Sequence, residues 1–210
     1  MEKIEGDFQT NQEFQAGLEL FRKVLAGAGT ANNFYLRLSA SQTTENITLR
    51  TSSTLGADTT GNTAMYVHKG GQTDVDVDSF DFNGVTKNTA RTLRITAADS
   101  STGNYSKAKI AATLLHEFLV HGVPFKTVFD SIRTSTDSDE MALLWKKSRS
   151  SDNSPDHQHA LFGAGQTAEL HEVLMALQNP KAISISNKDA ADTLKELERD
   201  IAYHKEQFPL

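Results

Sequence analysis

Residues 114–125 read LLHEFLVHGVPF. Two histidines and a glutamate sit in an otherwise apolar run, and the way this run winds decides how the rest of the chain is arranged around it. In the longer stretch NYSKAKIAATLLHEFLVHG, Ile110, Ala111, Leu114, Leu115 and Phe118 recur at three- and four-residue spacing, as on a helix with one buried stripe. The spacing predicts a helix over 105–121 that packs on a sheet. On a regular helix, at about 100° per residue, His116 and His121 stand about 140° apart, while Glu117 and His121 lie within about 40°. A straight helix therefore aims the two imidazoles in different directions. Two departures bring them together. A π-bulge inserts one residue into a turn and recurs at functional sites. Alternatively, Gly122 and Pro124 end the helix and leave His121 in a distorted last turn. The competing reading is a buried helix whose histidines are satisfied core residues.

Working outward, NQEFQAGLELFRKVLAGAG places Phe14, Leu18, Phe21 and Leu25 at helical spacing, with Asn11 as cap and Gly27 and Gly29 ending the run. From 31 to 103 the chain is rich in Thr, Ser, Asn, Asp and Gly. The runs NFYLRLSAS, NITLRTS, AMYVHKG, TDVDVDSFDF and RTLRITAAD read as five strands. Their even spacing suggests antiparallel hairpins with one wet face. Helical patterns follow over 105–121, 137–147, 154–179 (with Ser154 as cap and Pro155 in the first turn) and 187–208, where Leu194, Leu197 and Ile201 share one side. The expectation is one α+β domain over 1–210: an N-terminal helix in 1–30, a β-rich part over 31–103 with an antiparallel or mixed twisted sheet, and a helical half over 104–210.

Bulk properties narrow the function. Among 210 residues there is no cysteine, so a metal would be held by His, Asp or Glu alone. A net charge of −6 without a basic stripe argues against nucleic-acid binding. No apolar run reaches the eighteen or so residues of a membrane span. The start MEKIEGDFQTNQEF lacks the basic and apolar segments of a signal peptide. The expected location is the cytoplasm of the producing cell, with any export by a route that needs no signal peptide.

The segment TLLHEFLVH resembles the active-site helix of zincin metallopeptidases. Its five-residue histidine spacing is similar to the H-E-x-x-x-H variant of the dipeptidyl peptidase III family. That family is far larger and carries an E-E-C-R motif absent here. The segment also resembles metallopeptidase-like toxin domains, whose H-E-L-x-x-H helix is followed tens of residues later by an acidic-His pair. Such toxins are loaded into bacterial contractile injection systems or end polymorphic toxins. The resemblance covers residues 111–124 and, more weakly, 154–162. It implies a zincin-like fold, a Zn2+ ion on His116 and His121, Glu117 as general base, and a peptide or protein substrate.

Catalytic zinc usually has three protein ligands and an open position. The stretch SPDHQHALFG offers His157 and His159 in the first turn of a predicted helix, whose partially positive end favours the neutral imidazole a metal needs. One of the two is expected to be the third ligand. The resemblance points to His157, directly after Asp156, and His159 is a near equal. Glu169, His171 and Glu172 are a rival source of a ligand, and Glu140 a weaker one. DVDVDSFDFNG lacks the glycine and glutamate that a calcium loop needs at positions six and twelve, and reads as a strand with an acidic face. His68 and Trp145 read as structural. A strand edge near the site, TDVDVDSF or TLRITAAD, could take an extended peptide. The alternatives to a metallopeptidase are a non-catalytic module with a structural or degenerate metal site, and a metallohydrolase acting on a different amide or a peptidoglycan cross-link.

Overall fold

The structure is a computed structural model that describes residues 1–40, 44–55, 60–69, 80–148 and 155–210. Its order is β1 (Glu2–Ile4), α1 (Asp7–Thr10), α2 (Gln12–Ala26), α3 (Gly29–Ser39), β2 (Glu45–Ser52), β3 (Gly61–His68), β4 (Ala90–Ala98), α4 (Lys107–His116), a π-helical turn (Glu117–Gly122), a 3-10 turn (Val123–Phe125), α5 (Lys126–Thr134), α6 (Ser138–Ser148), α7 (Pro155–Gly163), α8 (Ala168–Gln178) and α9 (Asn187–Gln207). This is an α+β architecture, with a four-stranded sheet in the order β1-β2-β4-β3. Strands β1, β2 and β4 run parallel and β3 runs antiparallel to β4. The sheet is therefore mixed, one of the two arrangements expected, and the antiparallel hairpins suggested by the even spacing are corrected.

Two further expectations change. NFYLRLSAS lies mostly in α3, where Ala31, Phe34, Tyr35 and Leu38 are buried and Leu36 is exposed. Those buried positions follow three-four spacing. A strand reading would need Leu36 on the same face as Phe34 and Leu38, and that face does not exist. The polar N-terminus, where only a helix in 1–30 was expected, adds an edge strand ahead of the helices: Glu2 holds Arg22 at 2.6 Å and accepts a hydrogen bond from Tyr35, which ties β1 to α2 and α3. TDVDVDSFDF falls largely outside the described residues.

Helix ends follow local chemistry. Asn11 caps α2 by accepting from Glu13 N–H at 2.9 Å and from Phe14 N–H at 3.4 Å, as the sequence suggested. Ser106 and Ser186 cap α4 and α9 in the same way. The predicted helix over 154–179 is two helices. Gly165, at φ +67°, closes α7: its N–H donates to Phe162 O, and Gln166 N–H reaches back to Leu161 O, the pattern of a Schellman stop. The proposed Ser154 cap lies outside the described residues. Gly122 and Pro124 do not end the helix that carries the histidines, which runs on through the 3-10 turn into α5.

The core forms where α2 and α4 pack together and cover the sheet. Phe14, Leu18, Phe21 and Leu25 of α2 are buried, as are Ile110, Ala111, Leu114 and Leu115 of α4 and the adjacent Phe118. Trp145 is buried too, stacked on Phe125. No helix among the described residues is long and apolar enough to cross a membrane. The α2–α4 approach depends on Gly17, where an added Cβ would lie 2.6 Å from Ile110 Cβ and Cγ2. Gly17→Val should therefore destabilise the fold by about 1–3 kcal/mol through overpacking, despite valine's better helix propensity. The measurement is the urea midpoint at an unchanged m-value; a midpoint at or above that of the parent would refute this account of the interface.

Candidate metal centre

The π turn is the local feature that assembles the site. In it Val123 N–H donates to Phe118 O, five residues back. With this winding residue i+5, and not i+4, returns over residue i. His116 and His121 thereby come onto one side, with ring centroids 5.4 Å apart. The turn is held from outside. Phe118 packs among Phe21, Phe34 and Tyr35. A Cβ on Gly122 would press on Leu93 of β4 at 3.2 Å, so glycine lets the turn settle on the sheet.

Helix α7 delivers Gln158 and His159 to the same place. His121 Nδ1–H donates to Gln158 Oε1 at 2.9 Å, and His121 Nε2 lies 3.1 Å from His159 Nε2. One ligand atom each from His116, His121 and His159 lies within 4.8 Å of the others. Tetrahedral zinc with bonds of about 2.0–2.1 Å puts neighbouring imidazole nitrogens about 3.3 Å apart, so the His121–His159 separation suits two lone pairs that share an ion. His159 Nδ1 is buried without a hydrogen-bond partner among the described residues. All four histidine rings of the site crowd together, for His204 of α9 stacks on His159 at 4.3 Å and on His116 at 4.9 Å.

The electrostatics suit cation binding. Burial, reinforced by the positive charge of His116, depresses His121 to about 4; burial and its histidine neighbours depress His159 to about 3. Both rings are therefore neutral near pH 7, the state a metal requires. Burial acts to lower His116, but its hydrogen bond to Asp200 raises it overall. Burial pushes the Glu117 carboxyl up. Its Oε2 accepts from Thr63 Oγ1 at 2.8 Å, and a Cβ on Gly61 would lie 2.6 Å from its Cγ. Burial alone would raise Asp200 too, yet the hydrogen bonds it accepts from His116 and His204 hold it well below the usual carboxylate range. These groups line a cleft of about 560 Å³ between α4, α9 and the start of β3, which Thr60, Gly61, Lys109, Arg199 and Tyr203 also border.

Of the residues singled out in the sequence, His116, Glu117, His121 and His159 meet in this cleft. His157, two positions before His159 on α7, contributes no atom to the converging sets found among the described residues. The rival carboxylates are used elsewhere: Glu172 accepts from Thr30 N–H at 3.1 Å at the start of α3, and Glu169 lines a separate apolar cavity of about 280 Å³. His171 and Glu140 are exposed. His68 bonds to Thr92 across the β3–β4 ladder at 3.1 Å, a structural contact. Sequence reasoning missed Asp200 and His204, which with His116 form a second converging set. Their only local signal is a four-residue spacing on α9, which puts them on one helix face.

No family model, no curated protein and no solved structure matches this chain. The geometry separates the two candidate third ligands. His159→Ala should lower zinc affinity by more than the roughly 10–100-fold lost on removing an outer-shell group, whereas His157→Ala should leave it within about threefold. Competition with a fluorescent chelator reads both, and equal losses would refute the assignment of His159.

Proposed function

We propose that this protein is a zinc-dependent metallopeptidase, with His116, His121 and His159 as ligands and Glu117 as the general base. The observation that carries this reading is the convergence of three imidazoles, two of them held neutral, with a buried carboxylate lying next to one of them in sequence and lining the same cleft. Three imidazole nitrogen donors and no thiolate suit zinc at a site that keeps one position open. When bound there, zinc supplies a Lewis acid and lowers the pKa of a water to about 7.

The remaining steps belong to the chain. Glu117 is fixed by Thr63, so its carboxylate is positioned before substrate arrives. It takes a proton from the attacking water and delivers it to the departing amine. Its raised pKa suits a group that must hold that proton between the two transfers. Gln158 occupies His121 Nδ1–H, which leaves the lone pair on Nε2, the atom that faces His159.

A peptide substrate is supported by the sheet. Ala98 N–H donates to Thr60 O at 3.0 Å, so 60/98 is a hydrogen-bonded pair. The alternation of an antiparallel ladder then turns Asn62, Ala64 and Tyr66 towards β4. The backbone groups of Gly61, Thr63, Met65 and Val67 face the other way, where no strand pairs with β3 among the described residues. That open edge begins at Gly61, beside Glu117, and offers an extended peptide a ladder that leads into the cleft. TLRITAAD, a rival edge on sequence grounds, lies in β4 between β2 and β3 and has no free side.

Glu117→Gln should retain zinc at parental stoichiometry and lose hydrolysis by at least about 100-fold, the lower end of what a positioned base contributes. Elemental analysis together with cleavage of a peptide library reads both. Chelation should abolish activity in the parent, and added zinc should restore it. Full activity in Glu117→Gln, or in metal-free protein, would refute the reading.

A further inference from the structure

Asp200 holds two histidines at once. Its Oδ2 accepts from His116 Nδ1 at 2.7 Å, and its Oδ1 accepts from His204 Nε2 at 3.1 Å. Both rings are more than nine-tenths buried. His204 in turn lies flat on His159, with centroids 4.3 Å apart and planes within 6°. One carboxylate on α9 thus touches the ligand from α4 directly and reaches the ligand from α7 through a stacked ring. His116 has only two nitrogens, and Asp200 occupies one of them. The proton must then sit on Nδ1, which leaves Nε2 as the lone pair that faces an ion.

We propose that Asp200 is the positioning residue of the metal centre: it fixes the tautomer and plane of His116 and, through His204, the plane of His159. This rests on the metallopeptidase reading for its metal, though not for its chemistry, since the effect is on affinity. The C-terminal helix then sets how tightly the ion is held while supplying no ligand of its own. The competing use of the same residues is the second converging set, in which His116, Asp200 and His204 bind the ion themselves.

The experiment measures zinc affinity by chelator competition and the visible spectrum of the cobalt-substituted protein. Asp200→Asn keeps the shape but lacks the charge and one acceptor, and should weaken zinc binding about 10–100-fold with a shifted cobalt spectrum. Asp200→Glu, which restores a carboxylate on the same helix face, should recover most of the affinity. His204→Phe keeps a ring against His159 and leaves His116 its partner, so its loss should be smaller than that of Asp200→Asn. Imidazole nitrogen NMR of the zinc-loaded parent provides a test that no misfolded variant can confuse: His116 should be protonated at Nδ1 and metallated at Nε2. Parental affinity and spectrum in Asp200→Asn would overturn the proposal, as would His116 metallated at Nδ1, which would make Asp200 and His204 ligands. A parent that binds neither zinc nor cobalt would overturn the metallopeptidase reading itself, an outcome distinct from either.

Discussion

The winding between Glu117 and Gly122 is the constraint on which the site depends. Regular α-helical winding would bury one histidine and leave the other on a different face, about 140° away. A π turn forgoes the better hydrogen-bond geometry of the α-helix, so something else must hold it. Here the surroundings do so on three sides. Phe118 is locked among Phe21, Phe34 and Tyr35 in the core. Gly122 fits closely against the sheet, where an added Cβ would press on Leu93 at 3.2 Å. Thr63 Oγ1 lies 3.1 Å from Glu117 O as well as 2.8 Å from its carboxylate, so an edge strand braces both the backbone and the side chain of one residue. Strand, helix and glycine agree on a local geometry that none of them would impose alone.

The same arrangement concentrates polar groups where apolar ones would be the cheaper filling. Four histidine rings and two carboxylates share a small volume, and His159 Nδ1 and His204 Nδ1 are buried without partners among the described residues. Such unpaired groups cost about 1–3 kcal/mol each, and a buried carboxylate, Glu117, close to the half-buried Asp200 costs more. Asp200 is offset by its two hydrogen bonds, whereas the Glu117 carboxylate has Thr63 alone among the described residues. A cation between the imidazoles changes this balance, because it favours the charged form of both carboxylates and removes the need for a proton between His121 and His159. Charge therefore accounts for a cluster that packing does not require.

What the sequence disclosed follows the range over which its signals act. The apolar stripe of α4, the Asn11 cap, three strands and the conflict between His116 and His121 are local, and local periodicity exposes them. The π turn was one of only two ways to resolve that conflict. The parallel pairing of β1 with β2 and β4 was hidden because register between distant strands leaves no mark in either one, and Glu2–Ile4 is too short to show alternation. Residues 33–41 misled because an alternating F-Y-L-R-L run fits both periods, and only burial of Ala31 in phase with Phe34 and Leu38 separates them. His159 could be narrowed to a pair yet not chosen, since the choice depends on where α7 lies. Asp200 and His204 looked like ordinary members of a charged helix, and only the packing of α9 against α4 and α7 gives them a different use.

That packing also links the site to the stability of the fold. The converging groups come from α4 with its π turn, from α7 and from α9, which are separated in sequence by loops and by α5, α6 and α8. An ion bound to the first two bridges elements that otherwise meet through side-chain packing, and Asp200 draws in the third. A ligand that binds only the folded state stabilises it by RT ln(1 + [L]/Kd), about 2.7 kcal/mol at a hundredfold excess over Kd. The unpaired Nδ1 atoms of His159 and His204 act in the opposite direction and lie away from the Nε2 atoms that would hold the ion. The gain from a bound cation would therefore come from joining the elements, which would be tied most firmly in the state that the proposed chemistry needs.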